Sequence, residues 1–244
     1  MAVEEDDGKG GKRRTTVARD SGDSGRGTGT PPGAPISPLL SNLYMRRFVL
    51  GWKQRGHEAR LKARIVVYAD DFVILCRGTA TRAMEEMRKI MTALKLTVNE
   101  KKTRIARVPE ESIDFLGYTI GRCYSKRNGR TCIGARPSVK RVKAICAEIS
   151  EMTQKGTYRK PEVALVGEIN RKLRGWGNYF CLGAVSRAYR VVDNHARHRL
   201  RQWLNAKHRS RGVQPVRHPA AYLHEKLGLY RLESSTKKHP WAKA

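Results

Sequence analysis

Cysteine is scarce in this 244-residue chain: there are five, Cys76, Cys123, Cys132, Cys146 and Cys181. The number is odd and no two are spaced Cys-x-x-Cys, which argues against a zinc knuckle or a disulfide framework and suits reduced thiols in the cytoplasm. No run of about 18 apolar residues occurs, so no membrane partner or span is expected. The N-terminus lacks the apolar segment of a signal peptide. His195 and His198 stand three apart without further ligands to close a tetrahedral set, and read as polar-face or RNA-contacting side chains. Acid is also short: 22 Asp and Glu face 50 Lys and Arg, for a net charge of +28. Residues 1–30 are balanced, with six of each sign, whereas residues 121–244 hold twenty-eight basic and seven acidic side chains. A field of that size, concentrated in the C-terminal half, favours a polyanion and a salt-sensitive association. RNA is the partner it points to.

Against this basic background stands Tyr68-Ala69-Asp70-Asp71. Two apolar, β-branched runs flank it, Arg64–Val67 and Phe72–Cys76, and read as the strands of a hairpin with the acidic pair at or near its turn. Burying two bare carboxylates beside such strands is costly without a compensating charge. A hard divalent cation supplies that charge through oxygen ligands, which makes the hairpin half of a phosphoryl-transfer metal site. The competing reading is an ordinary Ala-Asp-Asp turn.

The surrounding motifs bear on that choice. Upstream runs Gly29-Thr30-Pro31-Pro32-Gly33-Ala34-Pro35-Ile36-Ser37-Pro38-Leu39-Leu40. Downstream come Leu96-Thr97-Val98-Asn99-Glu100-Lys101-Lys102-Thr103, Phe115-Leu116-Gly117, and Leu173-Arg174-Gly175-Trp176-Gly177-Asn178-Tyr179-Phe180. In this order the motifs resemble the reverse transcriptases encoded by group II introns, over roughly residues 29–235. The resemblance implies RNA-directed DNA polymerisation with a two-ion Mg²⁺ site. Asp70 and Asp71 would be metal ligands, and Lys102 would face the triphosphate. Thr30, Pro31, Pro32 and Gly33, with Tyr68 and Ala69, would line the nucleotide and template pocket. Phe115, Leu116 and Gly117 would form the primer grip. Partners implied are intron RNA, an RNA template with its DNA primer, and deoxynucleotides; the compartment implied is a bacterial cytoplasm. Pro32 stands where the family usually has glutamine, which removes a side-chain amide and a backbone N–H from the pocket. The family pattern also implies a third carboxylate on an earlier palm strand and a fingers subdomain. Residues 1–28 hold no apolar run to carry either, so the metal site reads as incomplete and an N-terminal reverse-transcriptase fragment as a further partner. The alternative function is a catalytically inactive, RNA-binding maturase remnant, or one half of a split enzyme. No paired cysteines follow the last motif, so no appended zinc endonuclease is expected.

The fold expected is α+β: a partial palm of hairpin, small antiparallel sheet and helices, then an α-helical thumb. Residues 1–28 read as a disordered tail, 29–136 as palm, and 137–244 as thumb and maturase-specific domain. Within the palm, Ser37 is the expected N-cap of a helix to about Trp52 with Leu39, Leu43 and Leu50 along one face. A helix over 80–95 carries a stripe of Met84, Met87, Met91 and Leu94. Strands are expected over 103–108 and 113–120, and Asn128-Gly129 signals a hairpin. Helices over 138–154, 161–174 and 184–206 follow, with Gly175 and Gly177 as punctuation, and a short helix over 218–227. Arg171, Lys172, Arg174, Arg187, Arg190, Arg197 and Arg201, interleaved with aromatics, are the candidate RNA contacts. The aromatics Trp176 and Tyr179 read first as core, with the arginines facing RNA.

Overall fold

The computed structural model describes residues 36–125, 128–208 and 218–235. The tail expected over 1–28, and Thr30 to Gly33, lie outside these residues. The chain divides into two compact units, Met1–Val98 and Asn99–Ala244.

In the first unit, helix α1 (Ser37–Gln54) leads to a short helix α2 (His57–Arg60), a hairpin of β1 (Ala63–Tyr68) and β2 (Asp71–Cys76), and helix α3 (Ala80–Ala93). The N-cap of α1 is Ile36, without a side-chain cap, and Pro38 occupies its first turn. The residues of α1 that enter the core are Met45, Phe48 and Trp52; Leu39, Leu43 and Leu50 are exposed. The expected face was therefore the wrong one. The helix is apolar on two sides, and the side carrying the two aromatics buries more area and wins. Phe48 packs its ring 5.1 Å from that of Phe72 on β2. The hairpin alternates as a half-buried sheet should: Ala63, Ile65, Val67, Phe72, Ile74 and Cys76 face the cluster while Arg64, Val66, Tyr68 and Leu75 do not. Ala83, Met87, Ile90 and Met91 of α3 close the other side, as the methionine spacing predicts. His57 is buried against Trp52, ring centroids 4.9 Å apart. Burial, with the nearby Arg60 guanidinium, lowers its pKa.

In the second unit, β3 (Ile113–Phe115), β4 (Tyr118–Tyr124) and β5 (Thr131–Pro137) form an antiparallel sheet in that order. The strand expected over 113–120 is in fact a hairpin, turning at Leu116 and Gly117, which have φ of 51° and 80°. Two consecutive left-handed residues make a tight turn, not an extended run. Gly117 also faces atoms of Arg141 and Phe180 where a Cβ would stand 3.2 Å away. The strand expected over 103–108 does not form. That segment finds no partner strand among the described residues and satisfies itself locally: Thr103 Oγ1 donates to the Asn99 carbonyl, and the Arg107 N–H to Glu111. The Asn128-Gly129 signal holds, with Tyr124 paired to Thr131 and Gly129 at φ 65°.

Helices α4 (Val139–Met152), α5 (Glu162–Tyr179) and α6 (Ser186–Lys207) follow, with a π-helical turn at Tyr222–Lys226 and a terminal helix α7 (Leu232–Ser235). Ser138 caps α4 by accepting the Arg141 N–H. α5 runs through Gly175 and Gly177, which were expected to end it. Each glycine costs a helix about 1 kcal/mol relative to alanine, and that cost is offset because Leu173 is fully buried and Trp176 packs against the core. The core gathers Ile145, Ile149, Leu165, Ile169, Leu173, Tyr189, Val192, Leu200, Trp203 and Leu204. Residues 218–235 are clipped onto it by polar bonds. The buried Asp193 carboxylate accepts the N–H groups of Leu232 and Glu233, and Asn170 bonds both the Gly228 carbonyl and the Tyr230 N–H. At the link between α5 and α6, Gly183 has φ 75°, and a Cβ there would lie 2.2 Å from the Ala135 carbonyl oxygen. Only glycine lets that link approach β5 closely enough for the Ala184 N–H to reach the same oxygen.

Candidate functional site

The hairpin of the first unit turns in two residues. Tyr68 pairs with Asp71 across the ladder, leaving Ala69 and Asp70 as the loop. Ala69 has φ 50°, the left-handed region in which a non-glycine residue pays about 1–2 kcal/mol. Strain of this kind persists only where the surroundings fix it. Asp70 thus sits at the tip and Asp71 opens β2. Both carboxylates are exposed, so the burial argument made from the sequence does not hold for this unit: a two-residue turn projects beyond the sheet and keeps its tip in solvent. What the structure offers is an acidic tip without a cationic partner. No Lys or Arg among the described residues pairs with Asp70 or Asp71. The polar contact of Asp70 is with Ser41, whose Oγ donates to Oδ1. Hard oxygen donors with uncompensated charge fit a divalent cation of the Mg²⁺ type, as part of its shell. No third His, Cys, Asp or Glu joins them into a cluster among the described residues.

Beside the turn, an open groove of about 300 Å³ runs between α1 and β1, lined by Asn42, Arg46, Leu50, Val67 and Ala69 among others. It is an apolar trough with one amide and one guanidinium, next to the acidic tip.

The second unit holds the other candidates. Lys102 is exposed, in a turn where its N–H bonds the Asn99 carbonyl. Leu116 and Gly117 form the left-handed turn already described, with Phe115 ending β3. Two tyrosines clasp that turn, and sequence reading did not foresee them. Tyr179 Oη donates to the Leu116 carbonyl at 2.9 Å, and Tyr118 Oη donates to the Tyr179 carbonyl at 2.6 Å. Burial raises the pKa of Tyr118, which keeps it a donor. The Gly117 carbonyl accepts the Ser138 N–H, tying the turn to the start of α4.

The seven basic candidates on α5 and α6 separate by what they touch. Lys172 pairs with Glu148 at 2.8 Å and Arg190 with Glu233 at 3.7 Å. The Arg174 guanidinium lies 5.1 Å over the Tyr230 ring. Arg201 Nε donates to the His218 carbonyl at 2.7 Å, and Arg197 bonds Asn194. Arg171 and Arg187 are exposed and have no partner among the described residues. The aromatics of the same stretch are mostly core: Tyr189, Trp203 and Phe180 are buried, and Trp176 is partly so, its ring 4.8 Å from Phe180. His195 is no solvent-facing histidine either. It is partly buried, with Nε2 2.9 Å from Ser150 Oγ on α4, and burial lowers its pKa; His198 is exposed.

No helix among the described residues is long and apolar enough to cross a membrane. Two family models match the chain in succession. Residues 16–120 match reverse transcriptase (RNA-dependent DNA polymerase), and residues 142–219 match the group II intron maturase-specific domain. The first match begins upstream of Gly29, within the stretch read as a tail. The chain is also similar to Protein YkfC of Escherichia coli (strain K12), at 30% identity over 143 residues, covering 46% of this chain and 37% of that protein. The chain thus spans little more than a third of the length of that relative. With the acidic hairpin in the first matched segment and the helical, basic domain in the second, the chain belongs to the group II intron reverse transcriptases and maturases.

Proposed function

We propose that residues 29–136 serve as palm in RNA-templated DNA synthesis and that residues 137–244 serve as thumb and bind intron RNA. The observation that carries the first half is the exposed carboxylate pair, without a Lys or Arg partner among the described residues, at a strained two-residue turn inside the segment that matches reverse transcriptase. Asp70 and Asp71 would hold Mg²⁺ as part of a two-ion set. The metal, when bound, polarises the phosphate and lowers the pKa of the attacking primer hydroxyl. Tyr68 and Ala69 give the primer end its floor, with the small Ala69 allowing close backbone approach. The Lys102 ammonium offsets charge that develops on the triphosphate. Phe115, Leu116 and Gly117 form the primer grip, its backbone set by the Tyr179 and Tyr118 hydroxyls. Thr30, Pro31, Pro32 and Gly33, outside the described residues, are assigned to the nucleotide pocket by the motif they form. Arg171 and Arg187 are the side chains of the second unit readiest to meet phosphate, being exposed and unpaired among the described residues.

A second reading rests on a separate observation. Two carboxylates are few for a two-ion site, and no third acidic side chain joins them among the described residues. In that reading the chain is a catalytically inactive, RNA-binding maturase remnant. RNA-templated primer extension with Mg²⁺ separates the two. The polymerase reading expects no extension by the chain alone and, with the preceding palm segment supplied in trans, extension that Asp70→Asn abolishes while RNA retention on a filter is unchanged. RNA retention with no extension in either arm leaves the maturase reading; extension that survives Asp70→Asn sinks the assignment of the metal site.

A further inference from the structure

Along α1 the residues that face the core are Met45, Phe48 and Trp52, spaced three and four apart. The same stripe extended one step toward the N-terminus falls on Ser41, four residues before Met45. Ser41 is half-buried, and its hydroxyl donates to Asp70 Oδ1. The stripe therefore changes from carbon to a hydroxyl where α1 reaches the hairpin turn. Three constraints then meet at Asp70. The ladder fixes its place in the loop through the Tyr68–Asp71 pair. The left-handed Ala69 fixes the direction in which the chain enters it. The Ser41 hydroxyl fixes the carboxyl group itself, from a helix anchored by two fully buried aromatics, Phe48 and Trp52.

We propose that Ser41 is a positioning residue for the metal site. It holds the Asp70 carboxylate in one rotamer before a cation arrives, and it donates to one lone pair of Oδ1 while the second lone pair and both pairs of Oδ2 stay open to a metal. This inference rests on the reading of Asp70 as a metal ligand. An exposed aspartate at a turn tip otherwise samples several rotamers and loses that freedom on binding. The hydroxyl has removed part of that loss in advance, which is how an outer partner raises the affinity of a ligating side chain. A serine suits this role better than a lysine, which would neutralise the carboxylate and compete with the cation.

The test is Mn²⁺ binding to the full chain, followed by the electron paramagnetic resonance signal of the free ion, in the wild type, Ser41→Ala, Ser41→Thr and Asp70→Asn. The expected result is an Asp70-dependent site in the wild type that Ser41→Ala weakens about two- to fivefold and Ser41→Thr restores, with the urea midpoint of Ser41→Ala unchanged. A wild-type site lost in Asp70→Asn yet unaltered in Ser41→Ala would overturn the positioning role and leave the metal reading standing. Weakening that Thr does not restore would assign the effect to helix packing and also overturn the role. Absence of any Asp70-dependent Mn²⁺ site would remove the metal reading and this inference with it.

Discussion

If the second unit binds RNA through phosphate contacts, the arginines the fold leaves free should govern the salt dependence, and those it employs should govern stability. Arg171 and Arg187 belong to the first kind; Arg201, bonded through Nε to the His218 carbonyl at 2.7 Å, belongs to the second. Each phosphate neutralised contributes about 0.7–0.9 to the slope of log K against log salt. The double variant Arg171→Gln/Arg187→Gln should therefore lose about 1.4–1.8 from that slope. Over a fourfold rise in salt this shrinks the fall in affinity by roughly seven- to twelvefold. Its unfolding midpoint should not move, since neither side chain holds a partner among the described residues. Arg201→Gln should do the reverse. A half-buried, charge-assisted bond to a carbonyl is worth about 1.5–3 kcal/mol, so the urea midpoint should fall clearly with the salt slope unchanged. The assay is titration of a structured RNA at four or more salt concentrations, beside urea melts of each variant. An unchanged slope in the double variant, or a reduced slope in an Arg201→Gln protein of unaltered stability, would refute this sorting of the basic residues.

Two further outcomes follow from the packing. Gly183→Ala puts a Cβ 2.2 Å from the Ala135 oxygen in a left-handed residue and should destabilise by about 2–4 kcal/mol. Gly175→Ala in α5 meets open space and should stabilise by about 0.5–1 kcal/mol; urea melts showing the same sign for both would contradict the geometry. For pH, the folded-state pKa values of His195 and His57 lie below the ordinary 6.5, both chiefly through burial. The unfolded chain then binds the extra protons, so stability is complete above about pH 6.5 and declines as pH falls from there toward the lowered values. Urea midpoints at pH 7.5 and 5.5 should show that decline, and His195→Gln should flatten it.

Much of this protein is written in local pattern. Two β-branched apolar runs around Ala69-Asp70 set the hairpin, the Met84–Met87–Met91 spacing set α3, and Asn128-Gly129 set the β4–β5 loop, because each depends on contacts between near neighbours in sequence. The acidic pair and its family were legible for the same reason: a motif is a local object. Tertiary structure decided the rest. Both faces of α1 are apolar, and which one is core depends on where Phe72 and Met87 arrive from elsewhere in the chain. Residues 103–108 have strand composition, but a strand exists only if another offers its backbone, and none of the described residues does. Gly175 reads as a break until Leu173 and Trp176 find a core that offsets its cost. The basic residues of α5 and α6 look alike in sequence; Glu148, Glu233, Tyr230 and the His218 carbonyl, distant in sequence, separate the employed from the free. Ser41 is one serine among many until the turn of a hairpin twenty-nine residues away brings Asp70 to its hydroxyl.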